Sequence, residues 1–158
     1  TDEIIPAKYL VEVKKEALRP HCLEDFKLAG FDPRGEALRQ ARVVVSRANF
    51  GCGSSREHAV WVFEVNEIRV VVAESFARIF RTNMFNCGLL AIELPKPELD
   101  RVFALGGNEI ECAVDLDRKT LAFTGVSGKP VSIGFALTPF DEALVRAGGW
   151  VEFADQRY

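Results

Sequence analysis

Asn49-Phe50-Gly51-Cys52-Gly53-Ser54-Ser55-Arg56-Glu57-His58-Ala59 is the stretch whose reading decides the fold. Just before it, Ala41-Arg42-Val43-Val44-Val45 is an apolar, β-branched run that reads as a buried strand. Directly after it, Ala59-Val60-Trp61-Val62-Phe63 reads as the apolar part of a helix. The order is therefore strand, glycine-rich turn, helix. In that geometry the free N–H groups of the helix start point into the turn and favour an anion. Gly51, Cys52 and Gly53 form the backbone of this expected anion turn. Ser54, Ser55 and Arg56 add hydroxyl donors and a fixed cation. Such a site suits a carboxylate or a phosphate. The spacing is not that of a nucleophile elbow, and the lysine of a P-loop is missing. Serine is also a preferred helix cap, so Ser54 and Ser55 carry that plainer reading as well.

Working outward, residues 16–28 show a helical pattern broken by Pro20, and residues 29–40, with Gly30, Pro33 and Gly35, read as loop. Residues 41–46 are expected as strand, 55–65 as helix, 68–73 as strand and 89–94 as strand closed by Pro95 and Pro97. Ser75 is placed to cap a helix running to about Phe85. Strands alternating with helices imply parallel pairing. The C-terminal third reads differently. Residues 109–116 and 120–124 flank a hairpin turn at Asp117-Arg118-Lys119, residues 131–136 form another strand, and residues 139–147 form a helix ended by Gly148-Gly149. An alternating α/β half thus carries a β-rich half. No repeat or linker divides the chain, so residues 1–158 are expected to form one domain.

Composition narrows the class. The 158 residues are 48% hydrophobic and 27% charged, as in ordinary globular proteins. A net charge of −3 gives no electrostatic reason to expect nucleic acid. No apolar run approaches the roughly 20 residues a membrane span needs. No charged-then-apolar leader is visible, although the chain starts without methionine. Cys22, Cys52, Cys87 and Cys112 form no CxxC pair, which argues against a metal site and a disulfide framework and for a reducing cytoplasm.

The stretch around Ser54 closely resembles the signature of the small subunit of 3-isopropylmalate dehydratase (isopropylmalate isomerase), the counterpart of the swivelling fourth domain of aconitase. Further stretches agree with that family: Thr1-Asp2-Glu3-Ile4-Ile5-Pro6-Ala7-Lys8-Tyr9-Leu10, then Ala73-Glu74-Ser75-Phe76-Ala77-Arg78-Ile79-Phe80, then Asn83-Met84-Phe85-Asn86-Cys87-Gly88-Leu89-Leu90. They occur in the family's order and spacing. One departure is Val60, where the family often has proline. The resemblance implies a three-layer β/β/α swivelling domain. It also implies a heteromeric hydro-lyase acting on a small dicarboxylate in leucine biosynthesis, active only with a large subunit. Aconitase-type enzymes use a 4Fe–4S cluster whose open iron acts as Lewis acid on the leaving hydroxyl. The cysteine spacing here does not suit a cluster, so the cluster is expected on that partner.

By the same resemblance Ser54 is the base that removes a proton beside a carboxylate, and Ser55 and Arg56 bind a substrate carboxylate. Asp2 is counted with Ser54 as catalytic: the matching aspartate of the family lies in the active site and hydrogen-bonds the serine loop. The loop after Tyr9-Leu10 chooses among substrates. Related homoaconitate enzymes tend to place an arginine there, whereas this chain has Val11 and Val13, which suit an isopropyl group. Lys14 and Lys15 nearby keep homoaconitate open, along with methylmalate and dimethylmalate. His58 is expected to pack behind the serine loop and fix its shape. Arg78 reads equally as a site residue or as an exposed helix charge. A competing class is a carboxylate- or phosphate-binding module without chemistry, and the chain alone is free to self-associate.

Overall fold

The computed structural model describes residues 1–106 and 109–156; the last two residues of the expected domain lie outside the described residues. Three short strands, β1 (Val43–Val45), β2 (Val70–Ala73) and β3 (Leu90–Glu93), form a parallel sheet in that order. The registers pair Val44 with Val71 and Val71 with Ala91. All four residues of the central strand β2 are buried. That is why its sequence reads as an unbroken apolar run rather than an alternation. A second, antiparallel sheet comprises β4 (Glu111–Asp115), β5 (Thr120–Thr124) and β6 (Pro130–Gly134), again in chain order. Its middle strand alternates, sending Leu121 and Phe123 into the core. The expected hairpin turn at Asp117-Arg118-Lys119 is present, with the Arg118 N–H donating to Asp115 Oδ1 at 2.9 Å. The mixed parallel and antiparallel α/β architecture therefore agrees with the reading of the sequence.

The helices depart from that reading in instructive ways. Residues 29–40 are not all loop. Helix α1 (Glu36–Gln40) starts after Gly35, because the glycine and proline punctuation stops there and Glu36-Ala37-Leu38-Arg39-Gln40 are good helix formers with Leu38 buried. The expected 16–28 helix is a 3-10 helix over Lys15–His21. Pro20 removes a donor, and Leu23 takes φ +56°, which no right-handed helix allows. Helix α2 (His58–Val65) begins later than residue 55, so neither serine caps it. Helix α3 (Arg78–Asn86) starts after Ala77 without any side-chain cap, so Ser75 does not cap it.

Helix α4 (Lys96–Phe103) was hidden by its prolines: Pro95 precedes it and Pro97 sits in its first turn, where a missing N–H costs nothing. Helix α5 (Pro139–Ala147) is capped by the Thr138 hydroxyl, which accepts from the Asp141 N–H at 3.1 Å, and ends at Gly148 with φ +97°. Beyond the two glycines the chain resumes as α6 (Trp150–Asp155). One hydrophobic cluster joins both sheets to the helices, including Phe63, Met84, Phe85, Ile92, Leu99 and Phe123. Truncating a fully buried member such as Phe63 costs about 3–5 kcal/mol.

Candidate active site

Parallel strands deliver their following loops to one edge of the sheet, the usual place for ligands in open α/β folds. The loop after β1 holds residues 46–57, and the loop after β2 holds residues 74–77. They are stitched together. The Asn49 N–H donates to Ser75 Oγ (2.9 Å), the Phe50 N–H to the Ser75 carbonyl (2.9 Å), and the Ala77 N–H to the Phe50 carbonyl (2.9 Å). Ser75 therefore serves the neighbouring loop rather than its own helix. The Phe50 ring anchors the junction, packing at 5.5 Å edge-on to Phe80 and at 6.0 Å edge-on to Phe76.

The glycines are required by contact as well as by conformation. Gly51 has φ +76°, and a Cβ there would lie 2.2 Å from Phe80 Cγ. Gly53 has φ +120°, and a Cβ there would lie 2.6 Å from Thr1 Oγ1. The serine loop thus lies directly on the start of α3 on one side and on the N-terminal segment on the other. That segment is pinned by buried Ile4 and Ile5. Its Thr1 nitrogen donates to the Cys52 carbonyl (2.5 Å), and its Thr1 hydroxyl donates to the Ser54 carbonyl (3.0 Å). Asp2 Oδ1 accepts from Arg56 Nη1 at 2.6 Å. The Arg56 side chain is 17% exposed and Asp2 63%. The fold thus joins residues 54 positions apart in sequence.

The result is a cleft of about 230 Å³. Thr1, Gly51, Gly53, Ser54, Ser55 and Arg56 line it from one side; Ala77, Arg78, Ile79 and Phe80 line it from the other. Both serines are exposed, and neither hydroxyl has an intramolecular partner among the described residues. Cys52 is exposed beside them. Helix α2 starts at His58, with Glu57 at its cap position, so it begins beyond both serines. The helix whose start lines the cleft is α3. A larger cavity of about 700 Å³ lies behind Thr1 and Cys52; its walls are mainly apolar.

Tyr9, Leu10 and Val11 do not line this cleft. The Tyr9 hydroxyl donates to Glu24 Oε2 at 2.7 Å, and its ring stacks on His21 with centroids 3.6 Å apart. The Tyr9 hydroxyl, followed by His21 and Lys8, holds the Glu24 carboxyl below its ordinary range. Val11 and Val13 are 81% and 88% exposed, on a loop outside this cleft. His58 does not brace the serine loop as expected. Its Nε2 donates to the Glu12 carbonyl at 3.0 Å, tethering the Val11–Val13 loop to the start of α2. Nothing in the local sequence signals that link, because the partner is a backbone oxygen 46 residues away.

The four cysteines lie apart in character. Cys52 is exposed, Cys22 is buried, and Cys87 and Cys112 are half-buried. Burial pushes the Cys22 and Cys87 thiols up to about 12 and Cys112 to about 11. Among the described residues no group of three His, Cys, Asp or Glu side chains converges to hold a metal. No helix among them is long and apolar enough to cross a membrane.

The chain is similar to known proteins over most of its length. The family described as the aconitase C-terminal domain matches residues 24–97, which contain both stitched loops. The 3-isopropylmalate dehydratase small subunit of Granulibacter bethesdensis is 37% identical over 156 residues, covering 94% of this chain and 73% of that protein. That of Paramagnetospirillum magneticum is 38% identical over 149 residues, covering 89% and 72%. The crystal structure of 3-isopropylmalate dehydratase from Methanocaldococcus jannaschii superposes with a TM-score of 0.77 at 31% identity, covering 99% of this chain and 86% of that one. The two sheets and their helices are thus the three-layer β/β/α swivelling fold. The chain belongs to the small-subunit family of 3-isopropylmalate dehydratase, within the aconitase group.

Proposed function

We propose that this chain is the swivelling small subunit of a hydro-lyase that interconverts 2-isopropylmalate and 3-isopropylmalate by dehydration and rehydration, in leucine biosynthesis. Its partner is a large subunit that carries a 4Fe–4S cluster, a reading supported by membership of the small-subunit family. We take residues 1–158 as a single cytoplasmic domain that binds neither nucleic acid nor membrane. The observation that carries the reading is the convergence of Ser54, Ser55 and Arg56 on one cleft, with Asp2 hydrogen-bonded to Arg56.

In this reading Ser54 Oγ takes the proton from the carbon beside a substrate carboxylate as the hydroxyl leaves the neighbouring carbon. The alkene diacid that forms is rehydrated at the other carbon, and Ser54 returns the proton. A serine oxygen is a weak base in water. It can serve where cations and N–H groups stabilise its deprotonated form. Arg56 and the Ser55 hydroxyl hold a carboxylate; the arginine's planar donor fork matches two oxygens at once. Asp2 fixes the Arg56 guanidinium at 2.6 Å, so the fork is oriented before substrate arrives. The exposed Val11–Val13 loop is covered by the large subunit in the complex and there receives the isopropyl group, which favours isopropylmalate over homoaconitate.

The test is reconstitution. The purified chain alone is expected to be inactive and colourless. Mixed with a cluster-bearing large subunit, it is expected to convert 3-isopropylmalate, followed by the ultraviolet absorbance of the alkene intermediate. A complex that forms but turns over none of these hydroxy diacids would leave only an anion-binding module.

A further inference from the structure

Arg56 is internally neutralised: Asp2 sits 2.6 Å from it, so the pair brings no net charge to the cleft. A dicarboxylate bound there needs positive charge from elsewhere, because a carboxylate removed from water without a partner is strongly disfavoured. The opposite wall contains one such group. Arg78 lines the same cleft as Ser54 and Ser55. Its side chain is exposed and makes no hydrogen bond or ion pair among the described residues. It is also badly placed for stability. It is the first residue of α3, and no acidic residue occupies that first turn. Cations at a helix N-terminus are disfavoured by the helix dipole. Arg47, Arg81, Arg101, Arg118 and Arg146 each have a carboxylate partner; Arg19, Arg34 and Arg69 show none among the described residues either, but Arg78 alone of these four lines the cleft. A local electrostatic rule broken without compensation is the usual mark of a functional position.

We infer that Arg78 is a substrate-binding residue. Its guanidinium holds the carboxylate that Arg56 does not, so the two arginines grip a diacid from opposite walls of the cleft. The loop stitching supports this role: Phe50, Ser75 and Ala77 fix the α3 start against the serine loop, so the gap between the two guanidinium-bearing walls is set by backbone hydrogen bonds. This inference rests on the hydro-lyase reading for the identity of the diacid and on the cleft for the rest.

The experiment uses the reconstituted complex with Arg78→Gln and Arg78→Lys. Calorimetric affinity for 3-isopropylmalate, KM, kcat and subunit association are measured for each. A charge-assisted hydrogen bond is worth enough to weaken binding by about 10- to 100-fold when lost. Arg78→Gln is therefore expected to raise Kd and KM by that factor, with subunit association unchanged. Arg78→Lys recovers part of the loss, since it keeps the charge and forfeits the fork. Affinity within about twofold of wild type, or a loss fully explained by weaker subunit association, overturns the inference. A wild-type complex that binds 3-isopropylmalate without turning it over defeats the hydro-lyase reading, and the affinity comparison still decides Arg78. A wild-type complex that neither binds nor turns it over overturns both.

Discussion

The two loops at the edge of the parallel sheet differ in almost everything except position. The loop after β1 is long, glycine-rich and carries the exposed hydroxyls. The loop after β2 is only residues 74–77 and contains no glycine. Yet each is held by the other: Ser75 supplies both its hydroxyl and its carbonyl to the first loop, and the N–H of Ala77 returns one bond to Phe50. The first loop supplies the reactive groups. The second fixes where they stand and sets the far wall of the cleft. Function in such a fold resides in the pair, and the chemistry of one loop is meaningless without the rigidity of the other.

The strongest way to sharpen that contrast is to remove the reactive group alone. Ser54 is exposed, and its side chain has no partner among the described residues, so Ser54→Ala removes chemistry without disturbing packing. In the reconstituted complex kcat is expected to fall by about 10²- to 10⁴-fold, the range for a positioned base. Melting temperature and subunit association should stay at wild-type values. Turnover near normal would take Ser54 out of the mechanism.

A substitution at the contact between the loops should act through stability instead. Gly51→Ala combines a left-handed residue, at about 1–2 kcal/mol, with an overpacked contact against Phe80, at about 1–3 kcal/mol. Unfolding in urea is therefore expected to show a loss of about 2–5 kcal/mol. Gly30 is the control. It has a similar φ of +79°, but a Cβ there meets nothing within 4 Å. Gly30→Ala should show only the conformational part. Equal losses at both positions would mean that the Phe80 contact carries no weight.

The same contrast explains what the sequence could and could not reveal. Val43 to Val45 and Val70 to Ala73 are legible because a parallel strand covered on both faces must be apolar throughout. The serine loop is legible because positive φ at Gly51 and Gly53 demands glycine. The Asp2–Arg56 pair, the His58 tether to Glu12 and the role of Ser75 are all bonds across long sequence separations, which no local pattern encodes. Helices α4 and α6 were masked for a different reason. Pro97 and Gly149 are breakers inside a helix but are tolerated at its start, and a sequence read by punctuation alone takes a boundary for an end.

Ser75 gives the finest test, because its two readings predict small effects in different places. As a helix cap its loss would loosen the first turn of α3. In the structure its hydroxyl accepts from the Asn49 N–H at 2.9 Å, and α3 begins three residues later with no side-chain cap. Ser75→Ala should therefore cost only about 0.5–1.5 kcal/mol, the net worth of one hydrogen bond. Asn49 lies in an exposed stretch, so water can take over its N–H and the cost should fall at the low end. Amide exchange separates the readings better than stability does. Exchange at Asn49 should quicken, while the first amides of α3 keep their rates. A modest fall in kcat/KM should accompany it, since the serine loop loses one of its ties to the opposite wall. Faster exchange at Arg78 and Ile79 with Asn49 unchanged would restore the capping role. It would also mean that the two loops are held together by the Phe50 backbone bonds without help from the Ser75 side chain.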